Sequence, residues 1–207
     1  FQKINAYTPG QFNDVSKDQW FAAGVSNAYE LGVMQGNSKT TFNPQGNITI
    51  AQTITLAARL HSIYVADGYS FTQTTPWYQT YVDYAIQHEI IAANEYNIYT
   101  GNATRLQFAS IIYKALPEEA YQPINAIQEL PDLAIDSEAA RSVLALYNAG
   151  IIAGNDKYGT FKPNSFIRRC EVAVIITRIT DVAARKSFKL EKSAKVVTAS
   201  TPEELLN

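Results

Sequence analysis

Apolar residues recur at three- and four-residue steps in three stretches of the chain: Val25, Ala28 and Tyr29; Val82, Ala85 and Ile86; and Val143, Leu146 and Tyr147. That spacing puts each set on one face of a helix. The three stretches coincide when Trp20, Trp77 and Glu138 are aligned. A second periodic segment follows in each copy, with Leu56 and Ala57, Ile111 and Ile112, and Ile175 and Ile176 in register. The pattern predicts an all-α fold in which a pair of helices is written three times.

The residues between the helices repeat as well. "LGVMQG" carries Gly32 and Gly36 and "AGIIAG" carries Gly150 and Gly154, while the middle copy has Glu89 and Ala93 there. Glycine at such places suits a positive φ at a helix C-terminus. Next comes "TFNP" (Thr41 to Pro44) or "TFKP" (Thr160 to Pro163), reduced to "IYTG" in the middle copy. Phe42, Tyr99 and Phe161 are the aromatics expected to plug each core. The second helix then opens with "TIAQ" from Thr49, "TRLQ" from Thr104 and "RRCE" from Arg168. In the first two, threonine and the glutamine three residues on form a capping box. In the third the box is broken, and Ser165 or Asn164 is expected to cap instead. Arg59, Lys114 and Arg178 recur further along and read as cations complementing a helix C-terminus. Asp14 and Asp132, also equivalent, are expected to cap the first helix or the turn before it.

The boxes open 55 and then 64 residues apart. A unit of that size buries little alone, so three should pack as one body. Turn-forming stretches divide the chain into 1–66, 67–120 and 121–184, with 185–207 as a polar tail or linker.

Composition narrows the function. With 207 residues, 46% of them hydrophobic, the chain can bury a sizeable core. A formal charge of −2 with 17% charged residues provides no basic field for nucleic acid or an anionic membrane, so any anion must be met by a few placed side chains. No apolar run is long enough to span a bilayer. The first residues do not read as a secretory signal, so export would imply one already removed. The single cysteine, Cys170, excludes a disulfide framework and reads as a small buried hydrophobe. The two histidines, His61 and His88, occupy non-equivalent positions and suggest no nucleophile–base pair. Neither catalysis, nor a cofactor, nor a metal is expected.

"FNDVSKDQWFAAGVSNAYELGVMQG" with "TFNPQGNITIAQ", and "AGIIAGNDKYGTFKPNSFIRRCE" further on, resemble surface-layer homology (SLH) modules. The resemblance covers roughly residues 10 to 184. It implies a pseudo-threefold, three-pronged helical body outside a bacterium, at the cell wall or surface layer. It implies as partner a secondary cell-wall polysaccharide, often ending in a pyruvate ketal, held in grooves between modules. In the family the box typically reads Thr-Arg-Ala-Glu, and its arginine is linked to the polymer's carboxylate. Arginine's planar fork suits that anion through paired charge-assisted hydrogen bonds, and a first-turn position is expected to add helix N–H groups. The matching residues here are Arg105 and Arg169, with Arg168 beside the latter and Ile50 in the first copy. Gly36 and Gly154 would let backbone approach a sugar. Trp20 and Trp77 fit a core role and a sugar-stacking role equally. The alternative function is a lattice module that meets neighbouring surface-layer proteins and binds no glycan.

Overall fold

The computed structural model describes residues 1–66 and 70–191. Among these residues there are six α-helices and no strand: α1 (Ala22–Glu30), α2 (Ile50–Val65), α3 (Gln79–Gln87), α4 (Arg105–Lys114), α5 (Glu138–Asn148) and α6 (Arg169–Thr180). Two short 3-10 turns, Glu118–Tyr121 and Val182–Ala184, complete the order. The chain is all-α, as its periodicity predicts.

Local chemistry sets the helix starts. Thr49 Oγ1 accepts from the N–H of Gln52 at 3.2 Å and Gln52 Oε1 accepts from the N–H of Thr49 at 3.0 Å, a closed capping box. Thr104 and Gln107 repeat it at 3.2 and 2.9 Å. Before α6 only half survives: Glu171 Oε2 accepts from the N–H of Arg168 at 3.1 Å, but a guanidinium has no acceptor to return. Neither Ser165 nor Asn164 takes over, because Arg168 itself stands at the cap position.

Helices consecutive in a repeat are not the ones that pack closely. The close pairs are α2 with α3, α4 with α5 and α6 with α1, with α2 also against α4. The first helix of each repeat therefore lies on the second helix of the repeat before it, and the third closes back onto the first.

The closure is made of backbone. The first N–H groups of a helix lack partners inside it, and here the loop of another repeat supplies them. Ile50 and Ala51 donate to the carbonyls of Gly101 and Tyr99 at 3.0 and 2.8 Å. Arg105 and Leu106 donate to Ser165 and Pro163 at 2.8 and 3.1 Å, and Arg169 and Cys170 to Gly46 and Pro44, both at 2.9 Å. Just before the boxes, the N–H of Ile48 donates to the carbonyl of Ile167, that of Ile167 to Ala103, and that of Ala103 to Ile48. All three of these residues are buried. The result is a closed ring in which each repeat gives one hydrogen bond and takes one.

The connector loops of the first and third repeats are clamped rather than merely turned. Asp14 accepts the N–H groups of Phe42 and Asn43 at 2.8 and 2.7 Å, and Asp132 those of Phe161 and Lys162 at 2.9 and 2.6 Å. These carboxylates hold the Phe-x-Pro loop, not the first helix or the turn before it that they were expected to cap. Asn43 and Lys162 both have positive φ, a conformation that the paired hydrogen bonds keep in place. Phe42 and Phe161 plug the core as expected, whereas Tyr99 is only half-buried and stacks on Tyr78 at 5.3 Å.

One further repeat lies outside the helical periodicity. "INA" occurs at Ile4 to Ala6 and again at Ile124 to Ala126. The N–H groups of Ile4 and Asn5 donate to the carbonyl of Glu30, and those of Ile124 and Asn125 to Asn148. Each isoleucine covers a glycine of positive φ: a Cβ on Gly32 would meet Ile4 Cδ1 at 2.5 Å, and one on Gly150 would meet Ile124 Cδ1 at 2.7 Å. At the other end, residues 185–191 lie against the third repeat, with Lys186 N–H on the Gly150 carbonyl and Glu191 N–H on that of Lys157. The rest of the expected tail, 192–207, lies outside the described residues.

Candidate functional site

An open cleft of about 420 Å³ forms where three repeats meet. Its lining includes Gln35, Gly36, Gln52 and Arg59 from the first repeat, Trp77 from the second and Arg169 from the third. The fold thus brings together three residues singled out from the sequence, Gly36, Trp77 and Arg169, although they are far apart in the chain.

Arg169 opens α6 and is 7% exposed. Its guanidinium lies over the Phe42 ring at 4.6 Å, donates from Nε to the Phe42 carbonyl at 2.9 Å and from Nη2 to the Gln35 carbonyl at 2.6 Å. No carboxylate pairs with it among the described residues. Burial pushes its pKa below the ordinary arginine value, with the more distant charge of Asp14 opposing that shift.

Arg105 sits in the same local frame one repeat earlier, also 7% exposed, with Nε on the Phe161 carbonyl at 2.7 Å and the guanidinium 5.4 Å from the Phe161 ring. Its electrostatics differ. Nη1 meets Glu171 Oε1 at 2.6 Å in an ion pair that joins the second repeat to the third. Burial alone would raise the Glu171 carboxyl; Arg105, followed by the N–H and side chain of Arg168, outweighs it, and the net shift is downward.

At the third equivalent place stands Ile50, buried in the core. Lys114 and Glu138, which match Arg59 and Trp77 of the cleft in the repeat alignment, form an ion pair at 3.1 Å.

The other candidates are distributed around this frame. Arg168 is not in the cleft lining; it bridges Gln45 Oε1 at 2.9 Å and Glu171 Oε2 at 3.1 Å. Trp20 and Trp77 are 63% and 50% exposed, each packed edge-on against the next aromatic, Phe21 or Tyr78. These are surface rings, not core. Gly36 is required by close approach, since a Cβ there would meet Phe12 Cε1 at 2.5 Å. Gly154 lies beside Gly159 and the Tyr147 hydroxyl. The expected contribution of helix N–H groups is absent at the first two positions of α6, because Gly46 and Pro44 already accept them. Arg59 and Arg178 point to a role the sequence did not indicate. They donate to carbonyls just after the first helix of their own repeat, Arg59 to Gly32 and Val33 and Arg178 to Ile151. The two histidines meet between α2 and α3, ring centroids 4.6 Å apart and packed with Tyr84, away from the cleft lining. Cys170 is buried and its thiol pKa is raised by burial, as fits a packing role.

The family model of the S-layer homology domain matches residues 11–54 and 131–173, the first and third copies. An endoglucanase of Bacillus sp. (strain KSM-635) is 29% identical over 191 residues, spanning 86% of this chain and 19% of that protein. The S-layer protein sap of Bacillus anthracis is 24% identical over 200 residues, covering 93% of this chain and 24% of its own length. The surface-layer 125 kDa protein of Lysinibacillus sphaericus is 25% identical over 194 residues, 87% of this chain and 16% of that one. The chain thus spans a quarter or less of these relatives. No helix among the described residues is long and apolar enough to cross a membrane.

Proposed function

We propose that this chain is a three-module, pseudo-threefold SLH body that anchors protein to the bacterial cell surface without catalysis, by holding a carboxylate-bearing secondary cell-wall polysaccharide in the grooves between modules. The cleft containing Arg169 carries this reading: a buried arginine without a carboxylate partner among the described residues lines a concave surface together with an exposed tryptophan. A carboxylate meets the guanidinium through charge-assisted bonds, and a pyranose ring has the Trp77 face to lie on. The closed ring of backbone hydrogen bonds supports the three-module assignment, the middle copy included. The range of relatives, an endoglucanase and two surface-layer proteins, supports a part used alongside different cargo.

Calorimetry with purified acidic wall polysaccharide tests the reading. Micromolar binding is expected, weakened roughly tenfold, or about 1.4 kcal/mol, by Trp77→Ala with the melting temperature unchanged. Arg169→Lys, which keeps the charge but loses the fork, should weaken it as well. A well-folded chain that binds no wall fraction would move the function to lattice contact with neighbouring surface-layer proteins.

A further inference from the structure

Ile4 and Asn5 stand on the first repeat as Ile124 and Asn125 stand on the third, but among the described residues only the third pair is covered by another stretch of chain. The cover is 186–191. Lys186 donates its N–H to the Gly150 carbonyl at 2.9 Å, and the Asn125 side chain brackets the backbone that follows, Nδ2 donating to the Lys186 carbonyl at 3.0 Å and Oδ1 accepting the Phe188 N–H at 2.9 Å. Leu190 closes over Gly159, where a Cβ would meet its Cδ1 at 2.5 Å. On the first repeat the bracket is set in the same way, since Asn5 Nδ2 donates to the Tyr29 carbonyl at 2.9 Å as Asn125 Nδ2 does to that of Tyr147 at 3.0 Å. Its Oδ1 has no hydrogen-bond partner among the described residues. A Cβ on Gly150 would meet the Lys186 carbonyl oxygen at 2.5 Å, whereas the atoms nearest to one on Gly32 belong to Ile4 and Asn5. Ile4 is accordingly 73% exposed, against 45% for Ile124.

The chain itself carries a segment written for that place. "KSFKL" (Lys186 to Leu190), which covers the third repeat, is followed one residue later by "KSAKV" (Lys192 to Val196), outside the described residues. We propose that the first repeat is the docking site for residues 192–196 of a second copy, so that chains join head to tail. The bracket reads backbone groups, so the second string can use it as the first does. The two changes in the string match changes in the receiving surface. Tyr7 already lies edge-on to Tyr29 at 6.0 Å, as Phe188 does to Tyr147 at 6.3 Å, so the string needs no ring and has Ala194. Thr40 stands in the place of Gly159 when the Thr-Phe pairs are aligned, and the shorter Val196 replaces Leu190 there. A second copy is the source because Glu191 is tied by its N–H to the Lys157 carbonyl, and Lys192 begins one Cα step of about 3.8 Å beyond it, at the third repeat. A neighbour can therefore offer 192–196 without giving up its own 186–191 contacts. Such a contact joins unlike surfaces and can extend into an open row. It does not depend on the glycan binding proposed above.

Sedimentation velocity of the full chain, without glycan, tests this. A contact this small is expected to have a dissociation constant on the order of 0.1 mM, so the unaltered chain should sediment faster as its concentration rises through that value. Asn5→Ala, which removes the bracket, and Val196→Asp, which puts a charge in the string, should each weaken association at least tenfold. An equal mixture of the two variants should form dimers and stop there, because one supplies an intact string and the other an intact bracket. Thermal melts check that Asn5→Ala is folded; if it is not, Val196→Asp and competition by the free peptide EKSAKVVT decide. A chain that stays monomeric throughout, or association that survives both substitutions, would overturn the proposal. Peptide that binds Val196→Asp but not the unaltered chain, at any concentration, would place the string on its own first repeat and overturn the second copy as its source.

Discussion

The first and third repeats and the second differ in how much of the recurring side-chain pattern they keep. The outer two have an aspartate clamping the Phe-x-Pro loop and a glycine of positive φ after the first helix. In the second, Phe71 stands where the clamp would be, Glu89 takes the glycine's place at φ 57°, and Tyr99 only half fills the plug position. Yet the second repeat makes every inter-repeat backbone bond that its neighbours make, from Ile50 on Gly101 to Arg105 on Ser165. Features carried by side chains have drifted, while the interlock carried by backbone has not. The reason is physical: any residue but proline supplies an N–H and a carbonyl, so the interlock constrains shape and burial more than identity. This also accounts for which copies the family model matches, since the two matched segments are those that keep the clamp and the glycines.

The largest expected effect is at the shared ring. Ile48→Ala removes a buried side chain at the point where all three repeats exchange hydrogen bonds. It should cost about 3 kcal/mol and lower denaturant stability in a single transition. Two separated transitions, with only the first repeat lost early, would show that the copies are not one cooperative body.

Smaller is the loss of a clamp. Asp132→Ala leaves the N–H groups of Phe161 and Lys162 without their acceptor and frees a positive-φ residue, for an expected cost of about 2 kcal/mol by chemical denaturation. It should also weaken the Arg105 environment, because Arg105 Nε rests on the Phe161 carbonyl. The reverse substitution sharpens the comparison from the degenerate side. Glu89→Gly relieves a non-glycine residue of its left-handed backbone and should stabilise the protein by about 1 kcal/mol, making this turn like its two counterparts.

What was legible in the sequence divides along the same line. Thr49 with Gln52 and Thr104 with Gln107 could be read because both partners of a capping box lie within one turn. The helix faces could be read because burial follows local period. The pairing of α6 with α1 could not, since it depends on a closure between residues more than a hundred apart. The same holds for the site. Arginine at 105 and 169 was visible, but both fill the same box position in equivalent frames, and only the fold shows that Glu171 reaches Arg105 across a repeat boundary while Arg169 has no such partner among the described residues. The aspartate clamps were visible as recurring carboxylates, and their target was not, because it lies 28 to 30 residues ahead of them. The paired "INA" strings lie outside the helical segments, where apolar period carries no signal.

The smallest effect is confined to acid and separates the third box from the other two. The folded-state pKa of Glu171 lies below its unfolded value, which is about 4.3 for a free glutamate. The stability it contributes is therefore fully present above that value and is lost as pH falls through the lower folded one. Glutamine carries no such proton, so Glu171→Gln should flatten the acid limb of the stability profile below about pH 4.3 while preserving the half-box to the Arg168 N–H. Gln52→Glu should behave differently. It places a new carboxylate in the cleft that Arg169 also lines, whose charge has no carboxylate partner among the described residues, and so should add an acid-sensitive increment where the first box now has none. Urea midpoints measured from pH 3 to 7 for the two variants and the unaltered chain check both signs. An unchanged acid limb in Glu171→Gln would mean that Arg105 and Glu171 do not pair in solution, and the contrast between the two arginines would fail at its source.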